Sequence, residues 1–546
     1  MRSLWSTFGR VVTGRAAARA VMSLSALLVF AIALLPSMAV LWLALICIAT
    51  ASIPWAARTV GDRSAVSHTL LLASIPVAMQ GVDGILSLWT GCAVLMALVA
   101  VAVDPFLAPR CAPDAYGLHL PGYSKPGRFT SAGPFLYPTV VATVLLAASV
   151  VWPQAAAAAC IATVLALVTG AAIGLLDALA KRRGHWNLPL GKAVDAYQPA
   201  FLVYYSGPRE GGYQLSMWMP YLEMLGRPFA ILAREEANLG LAAEVSGRPI
   251  LYVRRVEAVP VVLAESVTTI FYVNNEIKNA QGVRFLDRTH VHLGHGDSDK
   301  PSSYSPTTGI FDLIFVAGQA GVDRFASHGV TIPQEKFRLV GRPQLAQVEP
   351  AQESTAASVR TVLYAPTWRG GLPDMTFGSL VFGHDLVAAL LKLGARVIFR
   401  PHPYSFRDAA SRVHIQRIDD LLVAHAGEHL TSAASIAMSI FECFNASSAL
   451  VSDISSIASD YLASGKPFAL TDTGVSANLA EEFPLAVCAY ILRPDGDHAA
   501  VLGEMLGADP LRPERRRMGT YYLGDTSQRD PVTTFVAAAE AALAGR

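Results

Sequence analysis

The chain has 546 residues, of which 53% are hydrophobic and 16% charged, and its formal net charge is +1. This length allows more than one domain, and the near-zero net charge gives no electrostatic basis for a nucleic-acid partner. The six cysteines show no CxxC spacing, so the pattern indicates neither a disulfide framework nor a zinc ribbon.

The first third of the chain has the composition of a membrane domain. Residues 1–180 contain nine Lys or Arg, five Asp and no Glu. Six apolar segments approach or reach the length that crosses a bilayer. They are Val21–Leu35, Met38–Trp55, His68–Gln80, Ile85–Val103, Tyr137–Val151 and Ala155–Leu179.

The placement of basic residues predicts how these segments are oriented. Lys and Arg occur at the N-terminus, after the second and fourth segments, and after the sixth at Lys181–Arg183, whereas the intervening hairpins have none. The positive-inside rule then predicts six spans with both termini cytoplasmic. We therefore expect residues 1–183 to form a multi-pass α-helical domain in the cell membrane, followed by a cytoplasmic catalytic region.

A transporter is the alternative interpretation of this membrane domain. Ionisable residues inside a span would favour transport. The candidates are Asp83, Asp104 and Asp177, and all three lie at segment ends. The pattern favours a domain that acts mainly as an anchor.

From about Lys192 the sequence alternates between short apolar runs and helical stretches, which predicts parallel sheets covered by helices. We expect two doubly wound domains at 184–347 and 348–523, with a C-terminal helix at 524–546. Neither a Walker loop nor a GxGxxG fingerprint is present. The predicted strands are Ala200–Tyr205, Pro228–Leu232, Ile250–Val253, Thr269–Val273, His290–Leu293, Leu313–Val316, Thr361–Tyr364, Arg396–Phe399, Ala449–Val451, Phe468–Leu470 and Ala486–Ile491.

The first candidate motif, Val291–Lys300, places His295 after a strand and between Gly294 and Gly296. The glycines allow backbone to approach a ligand closely, and a histidine there is able to take a proton from a hydroxyl at neutral pH. A structural turn histidine fits the pattern equally well. A zinc site is a further alternative, because His290, His292 and His295 have HxHxxH spacing; metallo-hydrolases usually have Asp where Gly294 stands.

The second motif is Arg400–Pro403, also at the end of a predicted strand. Arginine offers two parallel donors to phosphate, and histidine donates to a phosphate oxygen. The prolines restrict the loop. The alternative is a surface loop whose charge has no role.

Two more motifs follow strand ends. Asp453–Ser456 precedes a predicted helix, where serines and free backbone N–H groups form an anion site or simply cap the helix. Thr361–Arg369 ends in a turn that exposes Thr367, Trp368 and Arg369 to the cleft; the alternatives are packing between domains for Trp368 and a surface position for Arg369. Parallel strands present their carboxyl ends, and therefore these motifs, at a ligand crevice.

Taken together, the motifs resemble the CDP-glycerol glycerophosphotransferase family, which includes teichoic-acid polymerases and primases. The resemblance runs from about Phe201 to the C-terminus and leaves the membrane domain outside it. The pieces that carry it are His295-Gly296, Gly341-Arg342-Pro343, Tyr364–Arg369, Arg400–Pro403, Ser452–Ser456, Asp460-Tyr461 and Lys466-Pro467.

The resemblance implies a GT-B fold of two Rossmann-like domains, with the acceptor on the first and a CDP-activated donor on the second. It implies transfer of a polyol phosphate to a hydroxyl with release of CMP. By motif match, His295 is the base on the acceptor hydroxyl. Arg400 and His402 hold the donor diphosphate and stabilise the leaving phosphate.

The same match assigns further donor residues in the second domain. Ser455 and Ser456 bind donor phosphate, Asp453 orders their loop, and Thr367 and Arg369 line the donor cleft. We expect no metal or other cofactor besides the CDP-glycerol or similar donor, since the reaction needs alignment and charge stabilisation.

The chain departs from the family around the first histidine, where members commonly have Trp-His-Gly-Thr-Pro. Asp297, Ser298 and Lys300 stand in this stretch and are expected on the acceptor side. The expected partners are a CDP-polyol, the membrane, and a lipid-linked glycan or teichoic-type polymer as acceptor. Two alternatives remain open: a GT-B glycosyltransferase that uses a nucleotide sugar, and a non-enzymatic membrane transporter or scaffold with a degenerate nucleotide-binding domain.

Overall fold

The computed structural model describes residues 95–96, 99–100, 103, 110–125, 138–139, 141–142, 144–145, 156–183, 185–207, 211–296, 298–351, 360–369, 377–474, 479–525 and 529–545. The first three predicted spans, Val21–Leu35, Met38–Trp55 and His68–Gln80, lie outside these residues. The fourth and fifth, Ile85–Val103 and Tyr137–Val151, are described only at isolated helical positions.

The sixth predicted span corresponds to helix α1, Ala156–Arg182, which has Lys181 and Arg182 in its last turn. Within the described ranges it is the one helix long and apolar enough to cross a membrane. The described residues therefore do not support a six-span domain, and the other five spans stay predictions. Near the end of α1, Lys181 forms an ion pair with Asp114 at 2.8 Å.

The described residues divide into two compact units, and the second comprises Gly117–Gly122 and Ala193–Arg546. Its first sheet has eight strands in the order β1-β4-β3-β2-β5-β6-β7-β8, and β2 to β8 pair in parallel. These strands are β1 Ala115–Leu118, β2 Phe201–Tyr205, β3 Phe229–Ala233, β4 Ile250–Val253, β5 Thr269–Tyr272, β6 Thr289–His292, β7 Leu313–Val316 and β8 Phe337–Leu339.

The second sheet has five parallel strands in the order β10-β9-β11-β12-β13. They are β9 Thr361–Ala365, β10 Arg396–Phe399, β11 Ala449–Ser452, β12 Phe468–Thr471 and β13 Tyr490–Leu492. We call β2 to β8 with their helices the first lobe, and β9 to β13 with theirs the second lobe.

Helices connect the strands of both sheets. The helices after α1 are α2 Asn187–Tyr197, α3 Tyr213–Ser216, α4 Met219–Glu223, α5 Leu239–Val245, α6 Asn279–Gly282, α7 Gln319–Ser327, α8 Gly383–Lys392, α9 Ala409–Ala424, α10 Ser432–Ile436, α11 Ile440–Ala446, α12 Ser456–Tyr461, α13 Leu479–Glu482, α14 His498–Leu506, α15 Arg512–Leu523 and α16 Pro531–Leu543.

Each sheet reverses its winding direction at one point, between β2 and β5 in the first lobe and between β9 and β11 in the second. Ligands of doubly wound sheets bind outside the carboxyl ends of the strands at such points. The central strands are buried on both faces, since the neighbouring pairs Phe201 and Leu202 in β2 and Val362 and Leu363 in β9 have no exposed surface. The α/β architecture of two parallel, GT-B-like sheets that the sequence predicted is confirmed.

Buried polar contacts join the two lobes. Arg342, which follows β8, forms a two-point ion pair with Asp460 in α12, with distances of 2.5 and 3.0 Å. Helix α16 returns to the first lobe, where Phe535 stacks on Trp218 with ring centroids 5.2 Å apart. The loops after the first-lobe strands are thereby held against those of the second lobe.

Candidate active site

The loop after β6 places His295 at the junction of the lobes. Gly294 has a positive φ of 68°, a conformation that favours glycine, and its carbonyl accepts a hydrogen bond of 2.6 Å from the Trp218 indole. The Nδ1 atom of His295 is buried and has no hydrogen-bond partner among the described residues. Buried polar atoms usually have a hydrogen-bond partner, so this nitrogen is a candidate contact for a ligand.

Gly296 brings this loop against the start of α12. A Cβ atom at residue 296 would lie 2.9 Å from both Cβ and Oγ of Ser456, closer than van der Waals contact allows. The absence of a side chain at Gly296 is thus what lets the His295 loop and the Ser456 end of the second lobe touch.

His402 reaches the same place from β10. Its backbone N–H donates to the carbonyl of Pro366 at 3.1 Å, and its Nδ1 accepts from the backbone N–H of Tyr404 at 3.1 Å. In neutral imidazole the other ring nitrogen, Nε2, then carries the proton. His402 is thereby set up as a hydrogen-bond donor.

One aromatic ring links the two histidines. The ring centroid of Tyr213 lies 6.3 Å from that of His295 and 6.4 Å from that of His402. The structure therefore brings both imidazoles to one crevice between the lobes. The ring of Trp368 also lies near His402, at 6.3 Å between centroids.

Both histidines are neutral at physiological pH. Burial, and next the charge of Arg342, lowers the pKa of His295 to about 4. Burial, and next the charge of Lys300, lowers the pKa of His402 to about 3. Removing an imidazolium from water is costly, so each ring keeps one lone pair and one N–H.

The side chain of Lys300, which follows β6 in the first lobe, contacts the second lobe. Its Nζ donates to Thr367 Oγ1 at 2.9 Å, and burial lowers its pKa to about 8, against the opposing charge of Asp453. The motif predicts Lys300 on the acceptor side. The structure places its ammonium against Thr367, a residue that the motifs predict on the donor side.

Asp453 organises the loops after three strands of the second lobe. It is fully buried, and its carboxylate accepts from the Thr367 N–H at 2.6 Å, the Ser379 N–H at 3.2 Å and the Thr471 hydroxyl at 2.5 Å. Burial raises its pKa and these hydrogen bonds oppose the rise. The arrangement matches a residue that orders the loop without contacting donor itself.

The remaining donor-side residues differ in how they are placed. Ser455 Oγ lies 3.3 Å from Ser452 Oγ, at the same loop that holds Ser456. Arg400 donates to the backbone carbonyl of Ser435, a structural contact beside its strand. Arg369 is exposed at the edge of the cleft.

Of the residues predicted on the acceptor side, Ser298 is buried and shares a hydrogen bond of 2.9 Å with the hydroxyl of Ser303. Asp297 lies outside the described residues. The neighbouring Asp299 pairs with Arg324 at 2.9 Å and accepts from the Tyr522 hydroxyl at 2.6 Å. This stretch therefore also anchors the loop to α7 and α15.

The zinc alternative is not supported by the surroundings of the first two histidines. His290 uses Nδ1 with the Tyr272 hydroxyl and Nε2 with the Phe285 carbonyl, at 2.9 and 3.0 Å. His292 Nε2 bonds the side chain of Asn275. In the described part of the chain, no group of three or more His, Cys, Asp or Glu is placed to hold a metal.

Sequence reasoning missed two aromatic residues beside the histidines, Tyr213 and Tyr404. Trp368 and Tyr404 pack at 5.3 Å. A signal existed for Tyr404, which directly follows Arg400–Pro403. Tyr213 lies in a four-residue helix with no recognisable motif.

A known family matches the part of the chain that forms the donor side. Residues 350–473 match the family model described as CDP-Glycerol:Poly(glycerophosphate) glycerophosphotransferase. That segment contains every donor-side residue named above except Lys300. No curated protein matches the chain.

Some solved structures are similar to the chain at low sequence identity. A putative UDP-N-acetylglucosamine 2-epimerase from Listeria monocytogenes is 12% identical, with 63% of this chain and 96% of that chain covered and a TM-score of 0.42. A structure of the wall teichoic acid polymerase TagF soaked with CDPG is 14% identical, with 68% and 96% covered and a TM-score of 0.41.

The resemblance carried by the motifs is confirmed by the family model over the second lobe. Residues 350–473 are similar to the CDP-glycerol:poly(glycerophosphate) glycerophosphotransferase family, and this match supports a CDP-glycerol glycerophosphotransferase-like enzyme.

Proposed function

We propose that the chain transfers glycerol phosphate, or a related polyol phosphate, from a CDP-activated donor to a hydroxyl of a cell-envelope acceptor and releases CMP. The observation that carries the proposal is the convergence of His295 and His402 on Tyr213 beside the family-matched second lobe. The acceptor is a lipid-linked glycan or a teichoic-type polymer.

The donor diphosphate occupies the crevice at the β9–β11 reversal. Lys300 supplies a positive charge there, since the Thr367 hydroxyl to which it donates is uncharged and a buried ammonium favours an anion. The hydroxyls of Ser455 and Ser456 and the Nε2 proton of His402 are further donors to phosphate oxygens. These groups stabilise the charge that develops on the departing CMP.

The reaction is a displacement at phosphorus. The acceptor oxygen forms a bond to the phosphorus that bears glycerol, and the bond from that phosphorus to the bridging oxygen of CMP breaks. The acceptor proton passes to His295, which is neutral at pH 7 because of its lowered pKa. A neutral histidine in hydrogen-bond reach is the requirement for this proton transfer.

We further propose that the enzyme works at the cytoplasmic face of the membrane. Helix α1 is apolar and long enough to span, and basic residues follow it. The positive-inside pattern of the preceding loops supports further spans. A membrane-held catalytic region suits an acceptor that is itself attached to lipid.

CMP release by membranes that contain the full chain tests the proposal. With CDP-glycerol and envelope lipid extract we expect release, and His295→Ala and His402→Ala each lower its rate by about 10²- to 10⁴-fold. His384→Ala, which alters a histidine on α8 beside Asp385, is the matched control and retains the parental rate. Parental rates in both test variants contradict the assigned roles.

The preferred donor distinguishes the proposed transferase from a glycosyltransferase that uses a nucleotide sugar. CDP-glycerol, CDP-ribitol and UDP-sugars are offered to the same membranes, and the nucleotide product is quantified. A CDP-polyol preference supports the proposal. Preferential release of UDP from a UDP-sugar identifies a glycosyltransferase instead.

A further inference from the structure

A buried carboxylate, that of Asp299, stands directly before Lys300 in the loop after β6. Its Oδ1 forms an ion pair with Arg324 of α7, whose Nε and Nη2 atoms both lie 2.9 Å from it. Its Oδ2 accepts a hydrogen bond of 2.6 Å from the hydroxyl of Tyr522 in α15. All three side chains are buried, so this loop of the first lobe is joined to one helix of each lobe.

Packing against both lobes fixes the Tyr522 end of this network. The Tyr522 ring is 1% exposed and belongs to the apolar core of the second lobe, which also contains Tyr461 and Met518. Its backbone lies against the first lobe, since a Cβ atom at Gly318 would be 2.7 Å from the Tyr522 carbonyl oxygen. An approach this close leaves no room for a side chain at residue 318. The Tyr522 hydroxyl therefore has a position that does not depend on Asp299.

The two helices make Asp299 a fixed point of the loop. A buried carboxylate that loses its cationic partner keeps the cost of its desolvation without the compensating attraction. Because the two oxygens of Asp299 meet donors on separate helices, a displacement of this residue breaks at least one of the contacts. Gly296 in the same loop touches Ser456 of α12. The loop is therefore held at residues 296 and 299.

The position of Lys300 follows from this fixed point. Neighbouring Cα atoms are about 3.8 Å apart, so Asp299 determines where the Lys300 side chain begins. The Lys300 backbone is extended, with φ of −76° and ψ of 154°, and its carbonyl accepts from the Ser303 N–H at 2.8 Å. From there Nζ reaches Thr367 Oγ1 at 2.9 Å. A retreat of the backbone by about 1 Å lengthens this bond beyond hydrogen-bond range.

A lysine side chain does not keep such a position by itself. Its ammonium is strongly hydrated and sits on a flexible stem, so it moves to water when its backbone allows. Asp453 is the anion that faces it, and the oxygens of Asp453 already accept three hydrogen bonds. The other groups that face it are the His402 imidazole, the Thr367 hydroxyl and the Phe377 ring.

We propose that Asp299, Arg324 and Tyr522 are positioning residues that hold Lys300 in the crevice against the donor diphosphate. The inference deepens the proposed function, because it takes Lys300 as the positive charge that binds the diphosphate. The three residues act through Lys300 and take no part in the chemical step. When a contact of the network is removed, the Lys300 ammonium moves toward solvent and away from the diphosphate.

The ionisation of Lys300 tests the proposal without turnover. In the purified full chain in detergent, acetylation of Lys300 by acetic anhydride is measured by mass spectrometry as a function of pH. Burial lowers the pKa of Lys300 to about 8, so we expect the parental labelling to have its midpoint there. Tyr522→Phe removes the hydroxyl and keeps the ring. Because return to water favours the charged form, we expect its midpoint to rise by at least about one pH unit, toward the value of about 10.4 for an exposed lysine.

The next residue of α15 provides the matched control. Tyr521→Phe removes a hydroxyl that bonds the exposed Asp323 at 3.0 Å, and we expect the Lys300 midpoint to stay at about 8. A midpoint that Tyr522→Phe leaves unchanged, or that both variants raise equally, overturns the proposal. A parental midpoint near that of an exposed lysine overturns it as well.

A double-mutant cycle tests whether the network acts through Lys300. We expect Tyr522→Phe to lower kcat/KM for CDP-glycerol by about three- to tenfold, mostly through a higher KM. In a Lys300→Ala background the same change has little further effect, because the group that it positions is gone. Asp299→Asn gives the same pattern with a larger decrease. Equal decreases in both backgrounds show a general structural role and overturn the proposal.

The outcomes separate this inference from the proposed function. A raised Lys300 midpoint in Tyr522→Phe, without CMP release by the parental chain, supports the positioning role and rejects the transferase. CMP release by the parental chain, with a midpoint that Tyr522→Phe does not change, supports the transferase and rejects the positioning role.

Discussion

Replacing Gly296 by alanine tests the contact on which the active site depends. The new Cβ lies 2.9 Å from Cβ and Oγ of Ser456, whereas ordinary contact begins near 3.4 Å. The His295 loop or the start of α12 must therefore retreat by about 0.5 Å. Overpacking of this kind costs about 1–3 kcal/mol, and a displacement of about 1 Å at a reacting group lowers the rate by about 10²-fold. We expect Gly296→Ala to lower kcat by about tenfold.

The assay is CMP release from CDP-glycerol, and two further variants isolate the cause. Gly240→Ala, at a helical glycine where an added methyl group would meet no neighbouring atom within 4 Å, is the matched control and keeps the parental kcat. Ser456→Gly removes the obstructing atoms, so Gly296→Ala has little further effect in that background. An equal loss in both backgrounds, or a parental kcat in the single variant, refutes the steric reasoning.

Three other changes follow from charges in and around the crevice. Lys300 loses its proton as the pH rises through its lowered pKa of about 8, so kcat/KM for CDP-glycerol falls above that pH. In Lys300→Arg, which stays charged, this decrease disappears. A parental kcat/KM that does not change with pH contradicts the proposed role of Lys300 in binding the diphosphate. In Asp453→Asn, an amide replaces the carboxylate that accepts from two backbone N–H groups, and its NH₂ group cannot accept these bonds. We expect the free energy of unfolding to fall by about 2–4 kcal/mol. Asp495→Asn, at an exposed position, has little effect in the same thermal scan. Arg342→Met removes the ion-pair partner of the buried Asp460 carboxylate and lowers the free energy of unfolding by about 3–5 kcal/mol. Adding Asp460→Leu to this variant restores most of the lost stability. If the losses of the two single variants simply add, the two residues are not coupled.

The strands of the region after α1 were predictable because buried parallel strands are short, continuous apolar runs. The observed bounds of Ile250–Val253, Leu313–Val316 and Arg396–Phe399 match the predicted ones residue for residue. The sequence prediction missed Phe337–Leu339, a three-residue strand with two exposed positions. Its pattern carries too little burial to stand out from a loop.

The sequence motifs come together in the structure, because residues that follow parallel strands meet at one edge of each sheet. Side-chain partners were not predictable in the same way. Lys300 stands close to His295 in the sequence, yet its ammonium reaches Thr367 in the other lobe. Arg400 donates to the carbonyl of Ser435 in α10, a contact that its motif does not indicate. Tertiary packing determines which partner a long, flexible side chain contacts, and sequence spacing does not encode that packing.

The polar residues at the β2–β5 reversal were the least predictable part of the first lobe. Tyr205, Gln214 and Asn274 come from separate elements and form no motif in the sequence. The hydrogen bonds of Asn274 to the Ser206 carbonyl and to Gln214 arise only when β2 and β5 become neighbours at the reversal of the sheet. Polar residues that are widely separated along the chain become neighbours through strand order alone.

A structure of the full-length His295→Ala variant with CDP-glycerol bound tests the central claim most directly. The account predicts that the diphosphate lies between the lobes, with its oxygens in hydrogen-bond reach of Lys300 Nζ, His402 Nε2 and Ser456, and with the glycerol directed toward residue 295. A nucleotide bound outside this crevice, or one whose diphosphate contacts none of these three groups, contradicts it.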